Sequence, residues 1–413
     1  MLRLIDRKTW ILLALGLALR VGYATHVQRH ALGDPAVDGY ETIARQIVEH
    51  GRYDFRPGVP TAMREPGFPS FIALLYLVFG EKPFIVLLAQ ALLGLGTCLL
   101  LRVLARGIFG AAAGDWAMAL AAFYPPFVFY TGYFYRETLL SFLVALWCWL
   151  VWRLLREPGA LWAACSGWVA GLCAVTVSTM APPCAAAGLW LSGALWRRPR
   201  GPALAATFWA AMSLCPALWA ARNFAVFHRV IPGSTIWGPL LYEVLLVPED
   251  LKGTEQESVI KSRDADWRRM MAMADNTSDD GRQQAEALRL CLARIRRDPV
   301  RYLQHIPRTA LKLWRLYPYP RKYQHDYRLV KTISLLSDGW IVPVGLAGLF
   351  LFWRRGGLIA FFAVFLGAAT ATHALSSAII RYRLPLMAPV LVLAAGVLGR
   401  IWTRGAPQTR KTR

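Results

Sequence analysis

Long apolar runs alternate with short polar, mostly basic connections along this chain. Runs of about 17–22 apolar residues match the length an α-helix needs to cross a hydrocarbon core of about 30 Å. The pattern predicts ten spans, at about 9–27, 84–104, 112–131, 138–155, 160–179, 182–196, 202–221, 338–353, 357–375 and 384–402. A further apolar stretch at 68–79 is about twelve residues long, too short to cross, and reads as an interfacial or re-entrant helix. The first run follows a basic start and has the look of a signal peptide. No small-residue cleavage site leads from it into a soluble domain, so it reads as a retained span.

Two longer polar segments interrupt this series, at about 28–83 and 222–336. In the first, Asp38 sits where a helix N-cap or first turn would sit, and Gly51 suits the helix end. Between them Ile43, Ile47 and the pair Ala44 and Val48 form one apolar stripe. In the second, 279–296 reads as a helix from its Ala, Leu, Arg and Gln content. Asp298-Pro299 ends that run, and 300–314 reads as another helix. The expected fold is an all-α polytopic membrane protein of about ten transmembrane helices, with interfacial helices in the first outer loop and a small, mainly helical periplasmic domain. The expected domains are a catalytic membrane module at 1–221, a periplasmic domain at 222–336 and the C-terminal transmembrane helices with a cytoplasmic tail at 337–413.

Basic residues set the orientation. With the N-terminus inside and 68–79 not crossing, Arg102 and Arg106, Arg153 and Arg156, Arg197 to Arg200, Arg354 and Arg355 and the C-terminal tail all fall in the cytoplasm. Counting 68–79 as a span turns three of these loops outward. Composition agrees with a membrane chain: 56% hydrophobic and 17% charged, against about 45–50% and about 25% in soluble domains. Seventeen Trp, fifteen Tyr and nineteen Phe suit two interfacial aromatic belts. The net charge of +22 does not point to nucleic acid. The cations lie in span-flanking clusters, and no basic face with interleaved aromatics resembles a nucleic-acid module.

Candidate chemistry concentrates on the outer side. Asp38 and Glu137, the latter opening the fourth predicted span, are two carboxylates at one membrane face, the raw material of an acid/base site. A plain helix-start role, favoured by the macrodipole, is the alternative for each. Arg381, Arg383, Arg222 and Arg229 sit at outer ends of spans, against the usual charge bias. A phosphate-bearing lipid accounts for such guanidinium forks, as does snorkelling to head groups. Asp264-Ala-Asp266 is formally a DxD, but nucleotide sugars are absent outside the cell. No Walker motif or HExxH occurs, no cofactor is indicated, and a divalent metal stays open.

In combination, these pieces resemble the family 39 branch of the C-type membrane glycosyltransferases, which includes the protein O-mannosyltransferases and the aminoarabinose transferase of lipid A. The resemblance is carried by Asp38-x-Tyr40-x-x-x-Ala44 with Gly51 and Tyr53, by Arg64-Glu65-Pro66-Gly67-Phe68-Pro69, and by Leu104-Ala-Arg106-Gly-Ile-Phe109-Gly110. Tyr124-Pro125, Glu137, Gly167-Trp-Val-Ala-Gly171-Leu, Arg222-Asn223, Ile231-Pro-Gly-Ser-Thr235 and Arg381-Tyr-Arg383-Leu-Pro385 complete it. It implies an inverting transfer of a sugar from a polyprenyl-phosphate carrier to an acceptor that this sequence does not define. It also implies that Asp38 is the essential acid, orienting or deprotonating the acceptor, and that Glu137 shapes the site. Arg222, Arg381 and Arg383 become candidates for the carrier phosphate, with Tyr40, Arg64, Glu65 and Asn223 as further substrate-binding positions. Membrane lipids are the remaining expected partners, and the bacterial inner membrane the expected location. A transporter of lipid-linked sugars is the competing class. It predicts charges near mid-membrane and paired broken helices in two repeated halves; only Asp115 lies near a span, and no repeat stands out.

Overall fold

The computed structural model describes residues 6–29, 38–248, 251–252, 254–276, 280–319 and 326–405. In chain order the helices are α1 (Arg7–Arg29), α2 (Tyr40–His50), α3 (Gly67–Phe79), α4 (Pro83–Phe109), α5 (Ala111–Phe123), α6 (Pro125–Phe129), α7 (Glu137–Arg156), α8 (Ala160–Thr176), α9 (Ala181–Trp196) and α10 (Gly201–Phe227). They continue as α11 (Trp237–Leu246), α12 (Glu255–Arg263), α13 (Ala265–Asn276), α14 (Asp280–Arg297), α15 (Pro299–Leu313), α16 (Tyr327–Leu351), α17 (Leu358–Leu375) and α18 (Met387–Gly405). A two-stranded hairpin, β1 (Asp54–Arg56) and β2 (Val59–Pro60), lies between α2 and α3.

Among the described residues seven helical runs are long and apolar enough to cross a membrane: α1, α4, α7, α10, α16, α17 and the run Ile380–Thr403. The protein is a multi-pass, all-α membrane protein. Three of the predicted spans form shorter helices, α5, α8 and α9. The expected continuous span at 112–131 is broken, and the reason is local. Pro125 and Pro126 lack N–H groups and Tyr124 takes an extended backbone, so α5 stops at Phe123 and α6 starts again at Pro125. The short stretch at 68–79 is α3, of 13 residues.

The break leaves two carbonyls without helical partners. In an uninterrupted helix the N–H of residue 125 would reach the carbonyl of Ala121, and that of residue 126 the carbonyl of Ala122. Arg20, fully buried inside α1, supplies both missing donors: Nη2 reaches Ala121 O at 3.0 Å and Nη1 reaches Ala122 O at 2.9 Å. Its charge also suits the negative end of α5. Close helix approach explains another sequence motif. A Cβ added to Gly167 or Gly171 of α8 would lie 2.1 Å from Phe208 O or 2.5 Å from Met212 O of α10. These two glycines, one turn apart, let the backbones of α8 and α10 meet.

Helices α11, α13 and α14 share a separate small core around Leu241, Tyr242, Met270, Ala287 and Leu290. The predicted helices at 279–296 and 300–314 are α14 and α15. Asp298-Pro299 ends the first and also starts the second, because the Asp298 carboxylate accepts from Arg301 N at 3.0 Å and Pro299 opens the first turn. At the other end of α14, the Asp280 carboxylate accepts from Thr61 Oγ1 at 2.6 Å and from Ala62 N at 2.8 Å. That contact joins the 222–336 segment to the first loop.

Candidate active site

Helix α2 has the amphipathic character expected of it. Tyr40, Ala44, Ile47 and Val48 pack on Phe68, Ile72 and Tyr76 of α3, and Gly51 closes α2 in the left-handed conformation, φ 65°. Its start differs from the capping alternative. The N-cap is Gly39, also left-handed at φ 74°, and no side chain caps the helix. A Cβ at Gly39 would meet the Phe55 ring at 2.3 Å, so glycine is required there.

The Asp38 carboxylate turns instead toward two arginines. Its Oδ1 lies 3.6 Å from Arg64 Nη2, and its Oδ2 lies 3.4 Å from Arg381 Nη1. Arg64 Nε also donates to the Asp38 carbonyl at 3.0 Å. Arg381 continues to the second candidate acid, its Nε lying 3.0 Å from Glu137 Oε1. The Tyr135 ring supports the guanidinium from 4.6 Å. One arginine thus bridges Asp38 and Glu137, which are separated by about a hundred residues in sequence. The other Glu137 oxygen, Oε2, is buried without a hydrogen-bond partner among the described residues.

Next to this bridge is a second ion pair. Glu65 Oε2 lies 2.7 Å from Arg136 Nη1, and Glu65 Oε1 accepts from Ser178 N at 2.8 Å and Ser178 Oγ at 2.6 Å. Tyr40 packs edge-on against Phe68 beneath the Arg64 guanidinium. Burial pushes its phenol up to about 12, so it is a neutral group. Three carboxylates (Asp38, Glu65, Glu137) face three guanidiniums (Arg64, Arg136, Arg381), and their formal charges cancel. The carboxylates differ in access. Asp38 is 22% exposed and held at long ion-pair distances, whereas Glu65 is 3% and Glu137 4% exposed.

Burial alone would raise the Glu65 carboxyl. The Arg136 charge and the two Ser178 hydrogen bonds outweigh it and hold the group below the ordinary glutamate value. A carboxyl held down in the folded state stabilises the fold above its unfolded pKa, and that contribution disappears as pH falls through the folded value. Thermal unfolding at a series of pH values should therefore show wild-type melting falling on acidification through the carboxylate range. Glu65→Gln should flatten that acid limb. Parallel limbs would show that Glu65 carries none of it.

The other predicted positions lie apart from this cluster. Arg222 is spent on protein acceptors, with Nη1 donating to Thr61 O and Asn223 Oδ1 and Nη2 to Tyr53 O, each at 2.9 Å. Asn223 donates to Ile231 O at 2.8 Å. Together they tie α10 to the first loop and to the turn at 231–235. Arg222→Met should accordingly lower the melting temperature; unchanged melting would show that these contacts carry no stability. Arg383 is buried against Asp338, with 2.5 Å between Nη2 and Oδ2. Asp264 caps α13 through Trp267 N at 2.7 Å, so the DxD serves a helix start.

Arg136 and Ser178 are not among the candidates that the sequence suggests. Arg136 meets the criterion that singles out Arg381, a cation at a span end against the charge bias, but it stands beside the more conspicuous Glu137. Ser178 carries no such signal. Among the described residues no three His, Cys, Asp or Glu side chains group into a metal site.

Residues 60–219 match the family described as dolichyl-phosphate-mannose-protein mannosyltransferase. No curated protein matches the chain by sequence. One similar solved structure is the archaeal oligosaccharyltransferase AglB from Archaeoglobus fulgidus in complex with an inhibitory peptide and a dolichol-phosphate, at 13% identity and TM-score 0.53, covering 96% of this chain and 50% of that one. The apo form of the Archaeoglobus fulgidus oligosaccharyltransferase aligns at 15% identity and TM-score 0.55, over 96% of this chain and 51% of that one. ArnT from Cupriavidus metallidurans bound to undecaprenyl phosphate superposes more loosely, at 16% identity and TM-score 0.43, over 96% and 79%. The chain spans about half the length of the oligosaccharyltransferase it matches, and identities this low speak for the fold. Residues 60–219 thus carry the sequence pattern of that family, and nearly the whole chain shares the fold of the archaeal oligosaccharyltransferase.

Proposed function

We propose that this protein transfers a sugar, a hexose or a pentose, from a polyprenyl-phosphate carrier to a lipid, glycan or protein acceptor, with inversion, at the periplasmic face of a bacterial inner membrane. The observation that carries the reading is the contrast among the three acids. Asp38 alone is both accessible and loosely held, between two arginines. Membership of the sequence pattern named for dolichyl-phosphate-mannose transfer supports the donor class, as does the dolichol-phosphate in the similar archaeal structure.

The chemistry follows from that arrangement. The acceptor hydroxyl or amine gives its proton to the Asp38 carboxylate. The acceptor atom bonds to the anomeric carbon from the face opposite the phosphate, and the carbon–oxygen bond to phosphate breaks with its electron pair going to the carrier phosphate. Guanidinium groups stabilise charge that develops on a leaving phosphate. Arg381 Nη1 and Nε face the two acids, and Nε lies at ion-pair distance without forming a hydrogen bond among the described residues. Arg381 is therefore placed to take a phosphate oxygen while keeping Asp38 in line. In this reading 1–221 is the catalytic membrane module and 337–413 supplies Arg381. The intervening 222–336 segment is a periplasmic domain braced on the first loop.

Arg381→Met should raise the KM for a polyprenyl-phosphate sugar about tenfold or more, the scale of one lost charge-assisted hydrogen bond. Unchanged donor dependence in folded protein would return Arg381 to lipid snorkelling. For sidedness, a cysteine replacing the exposed Ala285 of α14 should react with a membrane-impermeant thiol reagent added from outside; labelling only from the cytoplasm would reverse the orientation. A buried membrane charge favours the transporter reading in general, but Arg20 is accounted for by the carbonyls at the α5 break.

A further inference from the structure

The segment that carries Arg381 is a 3-10 strap, Ile380–Leu386, between α17 and α18. A run of this kind has poor internal hydrogen-bond geometry and depends on anchors for its path. Its anchor is Arg383, two residues beyond Arg381. Arg383 is 1% exposed, its Nη2 lies 2.5 Å from Asp338 Oδ2 of α16, and its Nη1 donates to Arg315 O at 2.7 Å. Tyr124, at the α5 break, donates its hydroxyl to the other Asp338 oxygen. Asp338 and Tyr124 are each 2% exposed. These three groups come from parts of the chain far apart in sequence and converge below the strap. Stability alone explains them poorly, because a buried ion pair contributes no more than well-packed apolar residues of the same volume.

We propose that the Tyr124–Asp338–Arg383 set positions Arg381, and through Arg381 the Asp38 carboxylate. Its role is orientation and not contact with substrate. This inference rests on the reading of Asp38 as the base. Arg381 and Arg383 reach different partners from one short strap, the first Asp38 and Glu137 and the second Asp338. Freeing the anchor lets the strap move, and misplacement of about 1 Å in a catalytic array costs up to about 100-fold in rate.

The test replaces the pair with apolar residues of similar size, Asp338→Leu with Arg383→Met, in the full-length protein in lipid. Sugar transfer is measured with a polyprenyl-phosphate sugar as varied donor, beside thermal unfolding. The expected result is a melting temperature near wild type and kcat at saturating donor lower by about tenfold or more, with donor KM rising as Arg381 loses its place. Wild-type kcat in a folded double variant overturns the inference, as does a loss confined to KM. Should the double variant not fold, Tyr124→Phe keeps the packing and removes one hydrogen bond. It should lower kcat at saturating donor by a few-fold, and unchanged kcat there also overturns the inference. Asp38→Asn run in parallel separates the two claims. Full activity of Asp38→Asn removes the base itself, whereas inactive Asp38→Asn beside fully active anchor variants removes only the positioning role.

Discussion

Asp38→Asn should lower turnover by about 100-fold or more while leaving expression and melting close to wild type, the scale of lost general-base catalysis. The substitution keeps the shape of the side chain and removes only the basic oxygen. A helix-capping role would be preserved by asparagine, but Gly39 occupies the cap position and Asp38 has no such role to lose. The ion pairs of Asp38 are long, 3.4 and 3.6 Å, and the side chain is partly exposed. Pairs of that kind contribute about 0–1 kcal/mol to stability, so the folded protein should tolerate the change. The Arg64 hydrogen bond to the Asp38 carbonyl is untouched by it. Loss of activity together with loss of folding would be the signature of a structural residue, and full activity would remove Asp38 from the chemistry. Either outcome is read from a donor-dependent transfer assay beside a melting curve.

The second large effect is structural. Arg20→Met should destabilise the protein by about 2–6 kcal/mol, because it strands two buried carbonyls at about 1–3 kcal/mol each. Those carbonyls, of Ala121 and Ala122, lost their helical donors to Pro125 and Pro126, and Arg20 replaces both. The acceptors of Arg20 are the Gly16, Ala121 and Ala122 carbonyls and the Cys98 sulfur, with no carboxylate among them. Its value therefore lies in satisfying α5 and not in an ion pair. Arg20→Lys should recover part of the loss, since an ammonium reaches fewer of these acceptors at once. Equal melting of Arg20→Met and wild type would show that the α5 end is satisfied some other way.

What could be read from the sequence follows from which physical terms act locally. Hydrophobic period and turn residues are local, so the apolar runs, the short α3, the α2 stripe ending at Gly51 and the pair α14 and α15 were all legible. The break at Tyr124 was visible as two consecutive prolines, but an apolar count reads through proline and predicts one span at 112–131. Arg20 was hidden in the same way, one cation averaged into an apolar run. The arginines show the larger limit. Charge bias locates Arg222, Arg381 and Arg383 near span ends, but not the direction of each guanidinium. Arg381 turns to Asp38 and Glu137, Arg383 to Asp338, and Arg222 to the backbone of the first loop. Most partners of such groups lie far away along the chain, and no local pattern encodes the pairing. Glu65 lies inside a family-like motif and Arg136 stands beside another, yet their ion pair joins two loops and only the fold brings them together.

The central claim is that this cluster transfers a sugar from a polyprenyl-phosphate carrier with Asp38 as base. Mass spectrometry of extracted lipids and envelope glycans tests it most directly, comparing the wild-type strain with a deletion strain complemented by the wild-type or the Asp38→Asn protein. The account predicts that the deletion and the Asp38→Asn strains accumulate the same polyprenyl-phosphate sugar and lack the same glycosylated product, with the variant protein present at wild-type level. A glycolipid profile in the Asp38→Asn strain identical to wild type, while the deletion strain differs, would contradict it.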